Sequence, residues 1–456
     1  MSEVGNQEKL SPQGRKAFLG AYFSFTVDMF DVYLPIVALT PAMIYFQPST
    51  LSPTIATTLF YLVFILSMLG RPVGSFIFGN LADKIGRKRT NQTSLAGVAL
   101  CTLFMALLPG YSIWGLWGIT ILAILRFVSG IFMGGVYTSA NTLAMEYSPH
   151  NKRGPLGGFI NSGAPTGNLL ISLITSALLV TMSSSSDSIY TVWGWRIPFL
   201  IGAFLTFVMY IYYSRKVDES KVWKESVNKN SSPLKELFKG DNFKQLLQVL
   251  ILMTGIWFTV NGLTSALPGI LKILGVNSLD ISNAQLLASL FSIPAYLLAG
   301  LISQKIGRKP TISILGIITF TIVPILYFWM LKSGFQNTIT LNILVVLVTV
   351  LSQSVFGVLT AYITERFHTG VRASGYGIGY SFGIIIPAFS PFYMLGLSAF
   401  MPYIYTPVVL IVISGILITI AALIGPETKD VVFNSSNNNS IQEADGTGAD
   451  LGASWN

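Results

Sequence analysis

Charge is scarce in this chain of 456 residues: Asp, Glu, Lys and Arg make up 10% of it, against 52% hydrophobic residues. A soluble globular domain carries roughly a quarter of its residues charged. With a mean hydropathy of +0.63, the composition excludes soluble domains, disorder and coiled coil, and describes a membrane protein. Cysteine is nearly absent too. Cys101 is the single one and lies in an apolar run, which excludes an intramolecular disulfide. One cysteine and two histidines leave too little for a zinc site, so neither a metal nor a redox cofactor is expected. A Gly-x-x-x-x-Gly-Lys-Ser/Thr phosphate loop is missing as well, and nothing suggests ATP use. No cleavable signal peptide is expected either: residues 1–16 are polar, and the apolar run that follows is too long for one.

What the chain has in abundance is apolar runs of the roughly 20 residues needed to cross a bilayer. About twelve recur, over 17–44, 55–82, 91–109, 114–147, 155–182, 193–213, 242–270, 281–303, 311–331, 338–366, 373–393 and 403–424. The net charge of +9 invites a nucleic-acid reading, but its distribution opposes one. If both termini are cytoplasmic, the loops on that side hold nearly all of the 28 Lys and Arg. Only Lys272 and Lys332 fall on the other side, and Arg71, Arg126 and Arg196 lie within or at the ends of spans. The positive-inside rule therefore places both termini in the cytoplasm of a multi-pass plasma-membrane protein. The expected organisation is an N-terminal arm (1–16), a six-helix half (17–213), a basic linker (214–241), a second six-helix half (242–424) and a disordered tail (425–456). Its expected associates are the lipid bilayer, a small-molecule substrate and a proton, without nucleic acid and with the monomer as the working unit.

The two halves repeat each other. Gly79-Asn80-Leu81-Ala82-Asp83-Lys84-Ile85-Gly86-Arg87-Lys88 follows the second span, and Gly300-Leu301-Ile302-Ser303-Gln304-Lys305-Ile306-Gly307-Arg308-Lys309 follows the eighth. Glu146 with Arg153 beyond it ends the fourth span, and Glu365 with Arg372 beyond it ends the tenth. A parallel repeat of six-helix halves marks a transporter whose substrate site lies between the repeats near the midplane.

The segment 79–88 resembles the loop motif of the major facilitator superfamily. Arg71-Pro72-Val73-Gly74, Leu108-Pro109-Gly110-Tyr111, Arg126 with Gly130 and Gly134, Glu146-Tyr147-Ser148-Pro149 and Trp193-Gly194-Trp195-Arg196-Ile197-Pro198-Phe199 narrow the resemblance to its metabolite:proton symporters. It implies an all-α integral membrane protein that imports a carboxylate or zwitterion, such as a dicarboxylate, proline or betaine, with a proton. Pro426-Glu427-Thr428-Lys429 is similar to the end of sugar porters. Three positions depart from the family pattern. Gln304 replaces the aspartate of the second loop motif, so that loop is expected to lack its partner's charge lock. Val136 stands where a glutamate precedes Tyr137, and Asp28-Met29-Phe30-Asp31 is instead similar to sialate and aromatic-acid symporters.

An ionised carboxylate within a spanning helix costs about 2.5–3.5 kcal/mol on insertion scales, so it faces a cavity or a partner. Asp28 and Asp31 are three apart on one helical face. Two adjacent carboxylates resist ionising together, which makes the pair a proton carrier, Asp31 more than Asp28 because it lies deeper. The alternative is a solvated helix end or a cap. At about 100° per residue, Arg126, Gly130, Gly134, Tyr137 and Asn141 share one stripe, a face that suits a carboxylate. Alternatively, Arg126 is the structural partner of a carboxylate on the first span. The two readings are compatible, because an arginine released when the aspartate protonates couples proton to substrate. Arg71 is a second interior cation, substrate-binding or structural. In the second half Trp257, Asn261 and Gln353 are candidate substrate contacts, with helix packing as the plain alternative. Asp83, Arg87, Glu146, Arg153, Glu365 and Arg372 read as a cytoplasmic gate. Gly163-Ala164-Pro165 with Gly167 in the fifth span, and Gly375, Gly377, Gly379, Gly383 and Pro387 in the eleventh, are expected to supply bends.

These residues point to a non-enzymatic secondary transporter, driven by the proton gradient without a bound cofactor, that imports a small organic anion or zwitterion. The rivals are a sugar or polyol carrier, proton-antiport drug efflux, and a nutrient sensor that moves little.

Overall fold

Segments that cross lipid must satisfy their backbone groups internally, and in the computed structural model the chain is accordingly helical, with no strand among the described residues (10–48, 50, 53–182, 188–225, 232–332 and 337–433). The first half opens with α1 (Pro12–Leu34), capped by the Ser11 hydroxyl, which accepts from the Gly14 N–H at 3.0 Å. It runs on through a π turn (Pro35–Leu39) and a 3-10 stretch (Thr40–Phe46). Then come α2 (Pro53–Ile85), α3 (Arg87–Ala106), the single turn α4 (Tyr111–Trp114), α5 (Leu116–Glu146), α6 (Arg153–Asn161), α7 (Gly163–Thr181) and α8 (Arg196–Lys216). Short helices α9 (Lys221–Glu225) and α10 (Pro233–Leu237) lie in the linker. The second half holds α11 (Gly240–Thr259), α12 (Leu267–Ile273), α13 (Ser278–Ile306), α14 (Arg308–Lys332), α15 (Thr338–Gln353), α16 (Phe356–Arg366), α17 (Arg372–Phe382), α18 (Ser390–Leu397) and α19 (Thr406–Ile424).

Eleven helical units among the described residues are long and apolar enough to cross a membrane. The remaining span of the twelve-helix reading is α3, which packs against α2, α5 and α8. It falls short in composition because its first eight residues, 87–94, are all polar or basic.

Both expected bends occur. The fifth span breaks at Ser162 between α6 and α7. The eleventh breaks after Phe382, with Pro387 in a 3-10 turn before α18. Within the first half, α2 and α5 approach to backbone contact. A Cβ on Gly134 would lie 2.5 Å from the Arg71 carbonyl oxygen, and one on Gly130 would overlap that of Ser67. Between the halves, α2 packs on α17 and α6 on α13, a pairing that the internal repeat relates by pseudo-symmetry.

The tail expectation needs correction. Residues 426–433 are not loose: Thr428 is buried and Phe433 is 7% exposed against the linker-side end of the bundle. Their apolar and hydrogen-bonding partners come from distant spans, which a local reading of a polar tail does not reveal. Residues 434–456 lie outside the described residues.

Candidate functional site

The two aspartates of α1 sit deep in the bundle, 3% exposed at Asp28 and 0% at Asp31, which excludes the solvated helix end. Each has its own arginine. Asp28 Oδ2 pairs with Arg71 Nη2 of α2 at 3.1 Å, and Asp31 Oδ2 with Arg126 Nη1 of α5 at 3.0 Å. Arg126 Nη1 also donates to the Asp31 carbonyl at 3.0 Å, and the Thr102 hydroxyl of α3 donates to Asp31 Oδ1 at 2.6 Å. The Arg126 guanidinium lies 5.6 Å from the Phe199 ring centroid of α8. Removing one partner of such a buried pair costs about 3–5 kcal/mol, because the other charge is stranded.

This arrangement splits the stripe read on α5. Arg126, expected among the substrate contacts, has all its assigned partners inside the first half. The glycines below it are used in packing on α2. Tyr137 and Asn141, further along the same helix, do reach the second half. The helical angle identified a common face, but the close approach of α2 divides it among different neighbours.

Arg71 is the cation that borders the junction of the halves. Its guanidinium lies 5.7 Å from the Tyr137 ring centroid. The Tyr137 hydroxyl bonds the Ser381 hydroxyl of α17, and Asn141 Nδ2 donates to the Tyr376 hydroxyl at 2.9 Å. From Tyr137 a run of rings crosses the second half. Tyr380 lies at 5.0 Å from it, and Trp257 of α11 at 5.7 Å from Tyr380. Phe356 of α16 follows at 6.0 Å from Trp257, and Tyr296 of α13 at 5.9 Å from Phe356. The Trp257 indole N–H donates to the Tyr380 carbonyl at 3.0 Å. Gln353 accepts from the Tyr296 hydroxyl at 3.0 Å and donates to the Thr264 hydroxyl. Asn261 turns its amide back onto the Trp257 carbonyl at 3.0 Å. Trp257 and Gln353 therefore join the junction, whereas Asn261 and Arg126 do not meet. Tyr296, Phe356, Tyr376, Tyr380 and Ser381 were missed, although Tyr376 and Tyr380 at i, i+4 in a glycine-rich span were a legible aromatic face.

All six expected gate residues come together at the linker-side end. Asp83 caps the start of α17, its Oδ1 accepting from the Ala373 N–H at 3.1 Å and its Oδ2 from the Ser374 N–H at 2.8 Å. Arg87 Nη2 bridges Asp83 and Glu146, both at 3.2 Å, and Arg372 of the other half meets Glu146 at 2.8 Å. The mirrored set pairs Arg308 with Glu365 at 3.2 Å and brings Arg153 within 4.0 Å of Glu365. The expectation that the second loop lacks a lock is corrected here. Gln304 Oε1 accepts from the Gly154 N–H at the start of α6 at 2.9 Å and from Arg308 Nη2 at 3.0 Å, replacing the aspartate as an uncharged acceptor.

Two further glutamates tie down the loops: Glu219, missed in the sequence, and Glu427, noted there only within the Pro426–Lys429 motif and given no role. Glu219 accepts from the backbone N–H groups of Arg87 and Lys88, and Glu427 from those of Arg308 and Lys309. Gly86 and Gly307, at φ +108° and +106°, make the turns that present those groups. Linker helix α10 is tethered as well, through Glu236 Oε1 and His368 Nε2 at 3.0 Å. Burial holds the His368 imidazole below its ordinary value, and its Nδ1 accepts from the Gly370 N–H. The neutral ring therefore carries its proton on Nε2 and donates it to Glu236.

The model of the Major Facilitator Superfamily matches residues 21–282 and 249–444. The chain is 29% identical over 369 residues to the alpha-ketoglutarate permease of Escherichia coli K12, covering 80% of this chain and 83% of the permease. It is also 29% identical over 297 residues to a putative proline/betaine transporter of Staphylococcus haemolyticus, covering 64% and 62%. In structure it is similar to the proton:xylose symporter XylE of E. coli bound to 6-bromo-6-deoxy-D-glucose, with a TM-score of 0.76, 17% identity, and 92% and 97% of the two chains covered.

Proposed function

The chain belongs to the major facilitator superfamily and is a multi-pass membrane transporter of small molecules, and from that premise we propose that it carries a small organic anion or zwitterion together with a proton by alternating access between its two halves. The observation that carries this reading is the Asp31–Arg126 pair, fully buried in the first half. A proton taken up on Asp31 neutralises the carboxylate and leaves the guanidinium without its counter-charge in a poorly solvated site, a state that a shift of α1 against α5 relieves. Asp28, one turn earlier on the same helix, holds Arg71, which lies against Tyr137 at the junction. A shift of α1 thus reaches the place where the halves meet. At the other end, the lock of Asp83, Arg87, Glu146 and Arg372 with Arg153, Arg308 and Glu365 closes the linker side and parts as the halves rock.

The Lys and Arg distribution supports a plasma-membrane orientation with the linker and both termini in the cytoplasm, which puts the locked end inward, and import is the direction that the resemblance to metabolite:proton symporters implies. Interior arginines favour an anionic group on the substrate over a neutral sugar, which makes the sugar carrier the weaker reading. The relatives named for alpha-ketoglutarate and for proline/betaine match at equal identity, so likeness leaves the substrate's net charge open.

The test is uptake by purified protein in liposomes. Carboxylates, amino acids, betaines and sugars are offered with and without an inward proton gradient. Gradient-driven accumulation of an acid or zwitterion is expected, and equilibration of a sugar indifferent to the gradient would refute the proposal.

A further inference from the structure

With the linker-side cluster taken as the inner lock, one of its bonds hangs on a histidine that the transport step does not use. The loop between α16 and α17 offers the Thr369 carbonyl to Arg87 Nη2 at 2.9 Å, across the two halves, and the Phe367 carbonyl to Arg372 Nε at 3.1 Å. His368 stands between the two and shapes the loop. Its carbonyl accepts from the Val371 N–H at 3.1 Å, and its ring Nδ1 from the Gly370 N–H at 3.2 Å. On the other edge of the ring, Nε2 lies 3.0 Å from Glu236 Oε1 of linker helix α10, which the buried Pro233 and Leu237 seat on the bundle.

The charged groups that face the ring are Glu236 from α10 and Arg372 from α17. Arg366, at the end of α16, turns instead to Gln248 of α11, and Asp83 of α2 to the Ala373 and Ser374 N–H groups. Lys235 and Lys239, beside Glu236 on the linker, are exposed.

A neutral imidazole has one donor and one acceptor and satisfies both edges here; a protonated one has two donors. The added proton sits on Nδ1 and confronts the Gly370 N–H, donor against donor. At Nε2 it turns a neutral hydrogen bond into a charge-assisted one, which is stronger, so the ring stays with Glu236 and gives up the loop. Linkage has the same sign. Burial holds His368 below its ordinary value in this closed arrangement, so the closed state takes up the proton less readily than an open state with a solvated ring, and pH below about 6.5 favours opening.

We propose that His368 is a proton sensor on the linker side of the lock. Neutral, it braces the loop that holds Thr369 against Arg87; protonated, it goes over to Glu236 and loosens the inner closure.

The chain has two histidines, so full-length protein in liposomes, isotope-labelled at histidine nitrogen alone, shows two rings by solid-state NMR, assigned with His150→Gln. His368 is expected as the Nε2–H tautomer at about pH 7.5 and doubly protonated only below about pH 6.5. Hydrogen exchange in peptides carrying Ala373 and Ser374, whose N–H groups bond Asp83 across the halves, reads the closure. Corrected for the intrinsic effect of pH, exchange should rise at least fivefold from about pH 7.5 to about pH 5.5 in the wild type. The rise should stay under twofold in His368→Gln, whose amide can serve both Glu236 and Gly370 but takes up no proton. Glu236→Gln removes the counter-charge and should carry the rise to lower pH, which supplies the contrast if His368→Gln fails to fold. A ring doubly protonated or protonated on Nδ1 at about pH 7.5 would overturn the proposal. So would no acid response in the wild type, an unmoved one in Glu236→Gln, or an equal one in His368→Gln, which would put the sensor elsewhere, on Asp83 first. Neither readout uses substrate or a gradient, so the symport reading can fail while this one stands.

Discussion

Phe433 offers a direct measure of how firmly the linker-side end is held. Its ring lies 3.4 Å from the Arg153 guanidinium carbon and 3.8 Å from that of Arg372, so one side chain spans gate arginines from both halves. Beside it, Arg153 Nη1 donates to the Val431 carbonyl at 2.6 Å. A partly desolvated cation–π contact is worth about 1 kcal/mol, so Phe433→Ala removes about 2 kcal/mol from the closed arrangement alone. At about 1.4 kcal/mol per factor of ten, the ratio of closed to open states falls roughly 30-fold. Phe433→Leu keeps apolar bulk and loses the π face, and should recover little of this. The assay exploits the single, buried cysteine of the chain, Cys101. A cysteine placed at Thr369, 5% exposed where its carbonyl accepts from Arg87, reports opening through its rate of maleimide labelling. Labelling should rise at least tenfold in Phe433→Ala. An unchanged rate, with the variant folded, would show that the tail rests on the gate without holding it.

Three further outcomes are expected. Asp31→Asn should abolish gradient-driven accumulation while substrate counterflow survives, since the amide keeps the shape but carries no exchangeable charge; normal accumulation in liposomes would remove Asp31 from coupling. Arg126→Lys should slow coupled transport at least tenfold, because the shorter reach and single ammonium replace a guanidinium that holds both the carboxylate and the carbonyl of Asp31; wild-type kinetics would reduce the pair to a point-charge contact. Gly134→Ala should destabilise the α2–α5 contact by about 1–3 kcal/mol, the usual cost of overpacking, visible as a lower unfolding midpoint in detergent. An unshifted midpoint would mean that the two helices separate without cost.

The spans and the lock were legible because each rests on a local signal. Apolar runs of membrane length announce themselves one by one, and the lock recurs at repeated offsets in the two halves, Arg87 with Arg308, Glu146 with Glu365 and Arg153 with Arg372, Asp83 alone being answered by Gln304. Glu219 and Glu427 were not legible in the same way, since the role of each comes from a loop more than a hundred residues away. Phe433 was hidden for the same reason: an aromatic residue after a helix end gives no sign of which arginines it will cover. Gln304 shows the converse error. A missing charge read as a missing lock, although an amide oxygen accepts from a helix N-terminus as a carboxylate oxygen does.

The sequence by itself determined the solvent, the helices and the inventory of interior charge, because lipid admits few charged residues and makes each one conspicuous. Which acid meets which base was a tertiary decision. Asp28 and Asp31 are near-equivalent along α1, yet one points to α2 and the other to α5, and only the approach of those helices at Gly130 and Gly134 separates them. The same packing turned Arg126 into the first half and left Arg71 at the junction. A helical wheel fixes the angle of a residue about its own axis; the neighbour at that angle is set by the other helices.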